Sequence, residues 1–436
     1  MLHNELKNNN KYPFHMPGHK RNDKFNICGS DIDITEIDGF DNLHSPTGYI
    51  KEIESELAKL YNSNKSFLLV NGSTLGILCA ILAVTNKNDK IAVARNCHQS
   101  VFNACFLNEL NIVYIEPEYD SENGFYTKIS QEAVNKCFKE NPDIKAVVIT
   151  NPTYEGFVSD IISPVTLIVD AAHGAHFGFG NFPKYPKGDI VVSSLHKTLP
   201  ALTQTAVLNV YNEEYIYMVK KYIDILETSS PSYVLMSSVS KCIETLKNEP
   251  DLFINFENRL KQFYSIKLNN LKLIKNDDES KIIISVANTN INGYELSEIL
   301  RNKYLIECEA QSINYITLIS SVGDTEEGFK RLFKALCDID KSLINSPVKI
   351  IKKPLMPIIA CKSSEIKHTV KTNFENSINK ICGETVFAYP PDIPIINKGE
   401  VITEETVKYI NYCFKNKINI ISESNLLPHF ILTKAD

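Results

Sequence analysis

Between about residues 66 and 211 short apolar runs alternate with longer stretches whose apolar residues recur at helical spacing. The runs cover 67–70, 91–94, 112–115, 146–150, 167–169, 190–192 and 206–210. Strands that alternate with helices predict a mainly parallel sheet wrapped on both sides. Several runs are apolar throughout, as strands covered on both faces are. Ligands on such a sheet bind at the carboxyl ends of the strands. Beyond it, 215–226 and 234–247 repeat apolar residues with helical period, the second more clearly.

From about residue 250 the pattern changes to a helix, a strand at 281–286, a helix at 294–303, a strand at 315–319 and a helix at 326–338. That order predicts a smaller α/β domain. A Pro- and Lys-containing connector, 346–357, precedes a last segment with the turn-rich Tyr389, Pro390, Pro391, Asp392, Ile393 and Pro394. The expected organisation is an N-terminal arm and helix (1–65), a large domain (66–248), a small domain (249–345) and a C-terminal domain (346–436). No internal repeat is visible.

The 436 residues suffice for two or three domains. A net charge of -6, from 46 basic and 52 acidic side chains without large blocks of one sign, argues against a nucleic acid or an anionic membrane as partner and favours a small-molecule substrate. No apolar run reaches about 18 residues, and Met1 to Tyr12 is too polar for a signal peptide, so the cytoplasm is expected. Eleven cysteines without a Cys-x-x-Cys pair suggest neither a zinc site nor a disulfide framework. No metal is expected, and most cysteines should be small buried residues.

Four features carry candidate chemistry. Asp170 ends an apolar strand, where its carboxylate suits either a turn cap or a charge partner for a pyridinium nitrogen. Lys197 follows the next strand in Ser193, Ser194, Leu195, His196, Lys197 and Thr198. It is either a solvated lysine or a Schiff-base amine activated by partial burial and a neighbouring cation. Asn71, Gly72, Ser73 and Thr74 join a strand to a helix, so the hydroxyls are either N-caps or part of an anion cradle. His98, after the run 91–94, is either a helix-start residue or a flat ring available for stacking.

These segments resemble the major domain of the ornithine/lysine/arginine decarboxylases, fold-type-I pyridoxal-phosphate enzymes related to aspartate aminotransferase. The resemblance runs through Phe14 to Lys20, Asn71 to Thr74, Asn96 to Ser100, Asn151 to Tyr154, Asp170 to His176, Ser194 to Gln204, Ser229 to Tyr233 and Tyr389 to Pro391. It implies an aspartate-aminotransferase-like α/β fold with a mainly parallel seven-stranded sheet and pyridoxal 5'-phosphate as cofactor. Lys197 would be the Schiff-base lysine, Asp170 the partner of the pyridine nitrogen and His98 the stacking ring. Gly72, Ser73, Thr74, Ala172, His173, Ser194 and His196 complete the cofactor site. The resemblance further implies a homodimer or higher homo-oligomer with shared sites, Ser229 or Ser230 reaching the neighbouring subunit's phosphate.

The implied reaction is decarboxylation of a basic amino acid to agmatine or a diamine. Arginine is slightly favoured over lysine and ornithine, and Glu384 is the candidate for the substrate's distal cation. An aminotransferase or lyase on the same scaffold, or a non-catalytic pyridoxal-phosphate-binding paralogue, are the competing readings. Three departures from the family pattern stand out: a link of only about fifteen residues before the strand at 167, near the lower limit for a parallel crossover, Ala171 where an acidic residue is common, and Asp392 where glycine usually follows the Tyr-Pro-Pro motif. The N-terminal wing of the long bacterial forms is absent from this sequence.

Overall fold

The computed structural model describes all residues except 10, 12, 26, 349, 389–392, 416, 417 and 436. Strands β1 (Lys65–Leu69), β2 (Lys90–Ala94) and β3 (Asn111–Ile115) come first, followed by a small hairpin, β4 (Tyr119–Asp120) and β5 (Phe125–Tyr126). Then come β6 (Ile144–Thr150), β7 (Thr166–Asp170), β8 (Ile190–Ser194) and β9 (Ala206–Val210). Seven of these form one mixed sheet in the order β1-β9-β8-β7-β6-β2-β3. Every apolar run is a strand of it. The β7–β8, β2–β6 and β2–β3 pairs are parallel, while β9 runs antiparallel to both β8 and β1. The sheet therefore has an antiparallel edge on a mainly parallel body.

The intervening helices are α1 (Leu2–Asn8), α2 (Tyr49–Tyr61), α3 (Gly72–Val84), α4 (Gln99–Leu107), α5 (Gln131–Glu140), α6 (Leu195–Thr198), α7 (Ile216–Leu226), α8 (Tyr233–Asn248) and α9 (Leu252–Tyr264). Two compact units are assembled from them. One comprises Met1–Val84, Leu167–Asn258 and Ser321–Gly323, the other Thr85–Thr166, Arg259–Ser320 and Asp324–Asp436.

In the first unit every residue of β8 and β9 is buried. Helix α3 packs on β8 so closely that a Cβ on Gly76 would lie 2.6 Å from Val192 Cγ1. Glycine is the residue that permits this approach, and the approach brings the helix N-terminus to the carboxyl end of β8. The helix starts three residues earlier than its apolar pattern, at Gly72, whose φ of +76° disfavours other residues.

The second unit holds a four-stranded antiparallel sheet in the order β10-β11-β13-β12. Its strands are β10 (Lys272–Ile274), β11 (Lys281–Ser285), β12 (Ala310–Gln311) and β13 (Tyr315–Ile319), with helices α10 (Gly293–Tyr304) and α11 (Glu326–Asp340). The elements read from the sequence after residue 280 thus lie where expected. A C-terminal module follows, with β14 (Thr369–Asn373), β15 (Val386–Ala388), β16 (Ile393–Ile396), helix α12 (Glu404–Lys415), β17 (Ile420–Ser422) and β18 (Phe430–Lys434). Its core is Phe374, Cys382, Val386, Ile396, Ile402, Val407, Ile410 and Ile431.

Buried Arg95 at the end of β2 reaches this module, donating to the Ile395 carbonyl at 3.1 Å and lying 3.8 Å from the buried Glu400 carboxylate. Tyr114 of β3 also donates to Glu400.

The short link after β6 contains no helix. The Asn151 side chain stands in for a partner strand there, its Oδ1 accepting from Ser159 N and its Nδ2 donating to Ser159 O, both at 2.9 Å. Of the cysteines, Cys79, Cys97, Cys105, Cys137, Cys242, Cys382 and Cys413 are buried, and all eleven are free. No helix among the described residues is long and apolar enough to cross a membrane.

Candidate active site

Strands β7 and β8 run parallel with Asp170 opposite Val192, so the residues that leave their carboxyl ends emerge side by side. Asp170 is 3% exposed, and its Oδ1 accepts the Ala172 N–H at 3.1 Å. This short turn carries the chain to His173, also buried. From β8 the chain enters α6, a single turn that places Lys197 so that its Nζ lies 3.0 Å from His173 Nε2. An amine and an imidazole are thus joined at the strand ends, with a carboxylate three residues before the imidazole.

The turn before α3 approaches the same edge. Ser194 Oγ donates to Ser73 Oγ at 2.9 Å, and the Gly72 N–H is held by the Gln204 carbonyl at 2.8 Å. With Gly72 engaged, the Ser73 and Thr74 amides are the first available donors of a 13-residue helix, in the positive field of its N-terminus. Ser73 is half-buried and Thr74 exposed. Hydroxyls and helix amides make a donor set suited to a phosphate monoester.

His196 Nδ1 donates to the Thr205 carbonyl at 2.8 Å, which fixes the tautomer. Burial lowers its pKa, and the Lys197 charge adds to the effect. The neutral ring therefore offers only a lone pair at Nε2. A His196 contact to phosphate through Nε2 requires that nitrogen to take up a proton first.

His98 belongs to the second unit. It caps α4, its Nδ1 accepting the Ser100 N–H at 3.1 Å, so a neutral ring carries its proton on Nε2. Ser229 and Ser230 lie exposed between α7 and α8. Tyr389, Pro390, Pro391 and Asp392, singled out in the sequence, lie outside the described residues.

Glu384 has a different place from that expected. It is fully buried in the C-terminal module, where Oε2 accepts Ser424 N–H at 2.8 Å and Oε1 accepts Leu432 N–H at 2.7 Å. Both oxygens serve the backbone, so this carboxylate is a folding group and is not carried forward as the substrate's counter-charge.

Sequence reasoning missed Glu227. Its buried carboxylate accepts the Val70 N–H at 3.3 Å and the Thr228 N–H at 3.2 Å. Its one local signal was its position immediately before Thr228, Ser229 and Ser230.

Residues 2–300 match the family model of the Orn/Lys/Arg decarboxylase major domain. The arginine decarboxylase of Bacillus anthracis is 30% identical over 92% of this chain and 90% of its own length. The lysine decarboxylase of Francisella novicida superposes with a TM-score of 0.81 at 16% identity, covering 100% of this chain and 81% of that one. An alanine–glyoxylate aminotransferase from Nostoc superposes at a TM-score of 0.53 and 11% identity, over 66% of this chain and 86% of that one. Those two likenesses describe the fold. The family match covers well over half of the chain, and the chain belongs to the Orn/Lys/Arg decarboxylase family, amino-acid decarboxylases of fold type I.

Proposed function

We propose that this protein decarboxylates a basic amino acid, arginine ahead of lysine and ornithine, with pyridoxal 5'-phosphate attached at Lys197. The observation that carries the reading is the placement of Lys197, His173 and Asp170 at adjacent strand ends beside the α3 N-terminus. Arginine leads because the relative from Bacillus anthracis, alike over most of both chains, bears that name.

When bound, pyridoxal phosphate supplies an electron sink for the pair left on Cα as carbon dioxide departs. The residues present fit such a group. Asp170 offers a buried negative charge that keeps a pyridine nitrogen protonated. The Ser73 and Thr74 amides, with the Ser73 and Ser194 hydroxyls, receive the phosphate. His173 is placed to take the ammonium proton of Lys197, leaving a nucleophilic amine. His98 is assigned the ring-stacking role, and Ser229 or Ser230 the contact to a second subunit's phosphate in a homodimer.

Borohydride reduction of the cofactor-loaded protein, followed by peptide mass mapping, tests the attachment. The added mass is expected on the peptide containing Lys197. A stable label on another lysine would remove the basis of the assignment.

A further inference from the structure

We propose that Glu227 is a positioning residue for the anion-binding turn Asn71 to Thr74, fixing the turn's shape and making its hold on phosphate dependent on proton uptake. The inference rests on the proposed use of that turn for pyridoxal phosphate.

Glu227 is the C-cap of α7, its own N–H bonded to the Ile223 carbonyl at 2.8 Å. Its side chain turns inward, 5% exposed, and accepts the Val70 N–H at 3.3 Å, close enough to the Asn71 N–H to feel its dipole. The Gln204 carbonyl takes the N–H of Gly72. The amides on either side of Asn71 are therefore committed inside the fold, and the helix amides left for a ligand begin at Ser73. The second carboxylate oxygen holds Thr228 N–H, directly before Ser229 and Ser230. One side chain thus ties together the two segments assigned to phosphate.

A carboxylate behind an anion site also carries the wrong charge for the ligand. Burial raises the Glu227 pKa, while the backbone N–H groups and the His44 ring pull it down. A phosphate on the turn pushes it further up, so phosphate binding favours the protonated form. The other groups around Glu227 are His44, whose nitrogens face Asp224 and the Thr228 carbonyl, Lys220, which pairs with Asp224, and Cys79 of α3. Burial pushes the Cys79 thiol up to about 12, so it stays neutral. His44 and the ligand are common to every variant, so a comparison across Glu227 variants isolates the glutamate.

The test is binding of pyridoxal phosphate, and separately of inorganic phosphate, to cofactor-free protein between pH 6 and pH 9. Wild type, Glu227→Gln and Glu227→Ala are compared, with thermal unfolding of each. Glu227→Ala should weaken both ligands about tenfold at the acid end, as expected for lost hydrogen bonds at a buried turn, and by less at the alkaline end, where the lost charge offsets the loss. Glu227→Gln keeps an acceptor for the Val70 N–H. It should bind both ligands at least as tightly as wild type, with an advantage that grows toward pH 9 and flattens the profile. Wild-type affinity in Glu227→Ala at the acid end, or the wild-type pH slope in Glu227→Gln, would overturn the proposal. If Glu227→Ala does not fold, the Gln profile decides. Failure of wild type to bind pyridoxal phosphate would count against the cofactor assignment, while the inorganic phosphate series still tests Glu227.

Discussion

Lys197 Nζ and His173 Nε2 lie 3.0 Å apart, although they leave different strands of the sheet. The pairing depends on the register of β7 against β8 and on the single turn of α6. An imidazole in that position is a proton acceptor for the ammonium. His173→Gln should lower turnover by roughly 10²-fold, the lower end of the range for general acid–base groups. It should also move the acid limb of the cofactor-attachment rate profile, where the rate rises with pH, to higher pH. An unchanged profile in stopped-flow absorbance would show that His173 takes no proton from Lys197.

Asp170 should be needed for the reaction more than for the fold. Replacing it with Asn removes the charge and keeps the shape. With a charge-assisted hydrogen bond at about 3 kcal/mol, turnover should drop on the order of 10²-fold. Thermal unfolding should change little. Assays of turnover and melting on the same preparation separate the two effects.

Gly76 sets the distance between α3 and the sheet. A methyl group there meets Val192 at 2.6 Å and Leu69 at 3.0 Å. Gly76→Ala should destabilise by about 1–3 kcal/mol, the usual cost of overpacking a core. Because the displaced helix carries Ser73, weaker retention of pyridoxal phosphate should accompany the loss. Urea unfolding and cofactor dialysis check the two consequences.

Glu155 gives the second unit a pH dependence. Burial pushes its carboxyl up to about 7, although Tyr315 donates to it at 3.0 Å. The folded-state pKa is above the unfolded value, so the folded chain holds this proton more strongly. Its stabilising effect is full at low pH and is lost as pH rises from the ordinary glutamate value toward 7. The loss approaches roughly 3 kcal/mol at about 1.4 kcal/mol per pH unit. Glu155→Gln keeps an acceptor for Tyr315 and should remove this slope. Equal slopes for variant and wild type, in chemical unfolding across that pH range, would contradict the assignment.

Arg95 and Glu400 are both buried, which makes removal of either expensive. Glu400→Gln leaves the guanidinium without its counter-charge and should cost about 3–5 kcal/mol. Denaturant titration followed by tyrosine fluorescence measures it. A cost below about 1 kcal/mol would place this pair among weak surface-type bridges.

What the sequence made legible follows from where information is local. Apolar runs located all seven strands, six of them because strands covered on both faces must be apolar, while the half-buried edge strand β3 kept an apolar run as well. Asp170 and Lys197 could be placed at strand ends for the same reason. The start of α3 was missed by three residues, since Gly72 and Ser73 add nothing to an apolar pattern. The antiparallel course of β9 left no mark either, because buried strands read alike in both directions. Pairs distant in sequence were invisible: Glu227 with Val70, Arg95 with Glu400 and Glu384 with Leu432. Glu384 was offered for substrate on its position near Tyr389, whereas two backbone amides far along the chain claim it.

Carbon dioxide release from arginine, lysine and ornithine, measured with pyridoxal phosphate for wild type and Lys197→Ala, tests the central claim most directly. Release from at least one of the three, fastest from arginine, and its loss in Lys197→Ala are expected. No release from any of them by cofactor-loaded wild type, or undiminished release by Lys197→Ala, would contradict it.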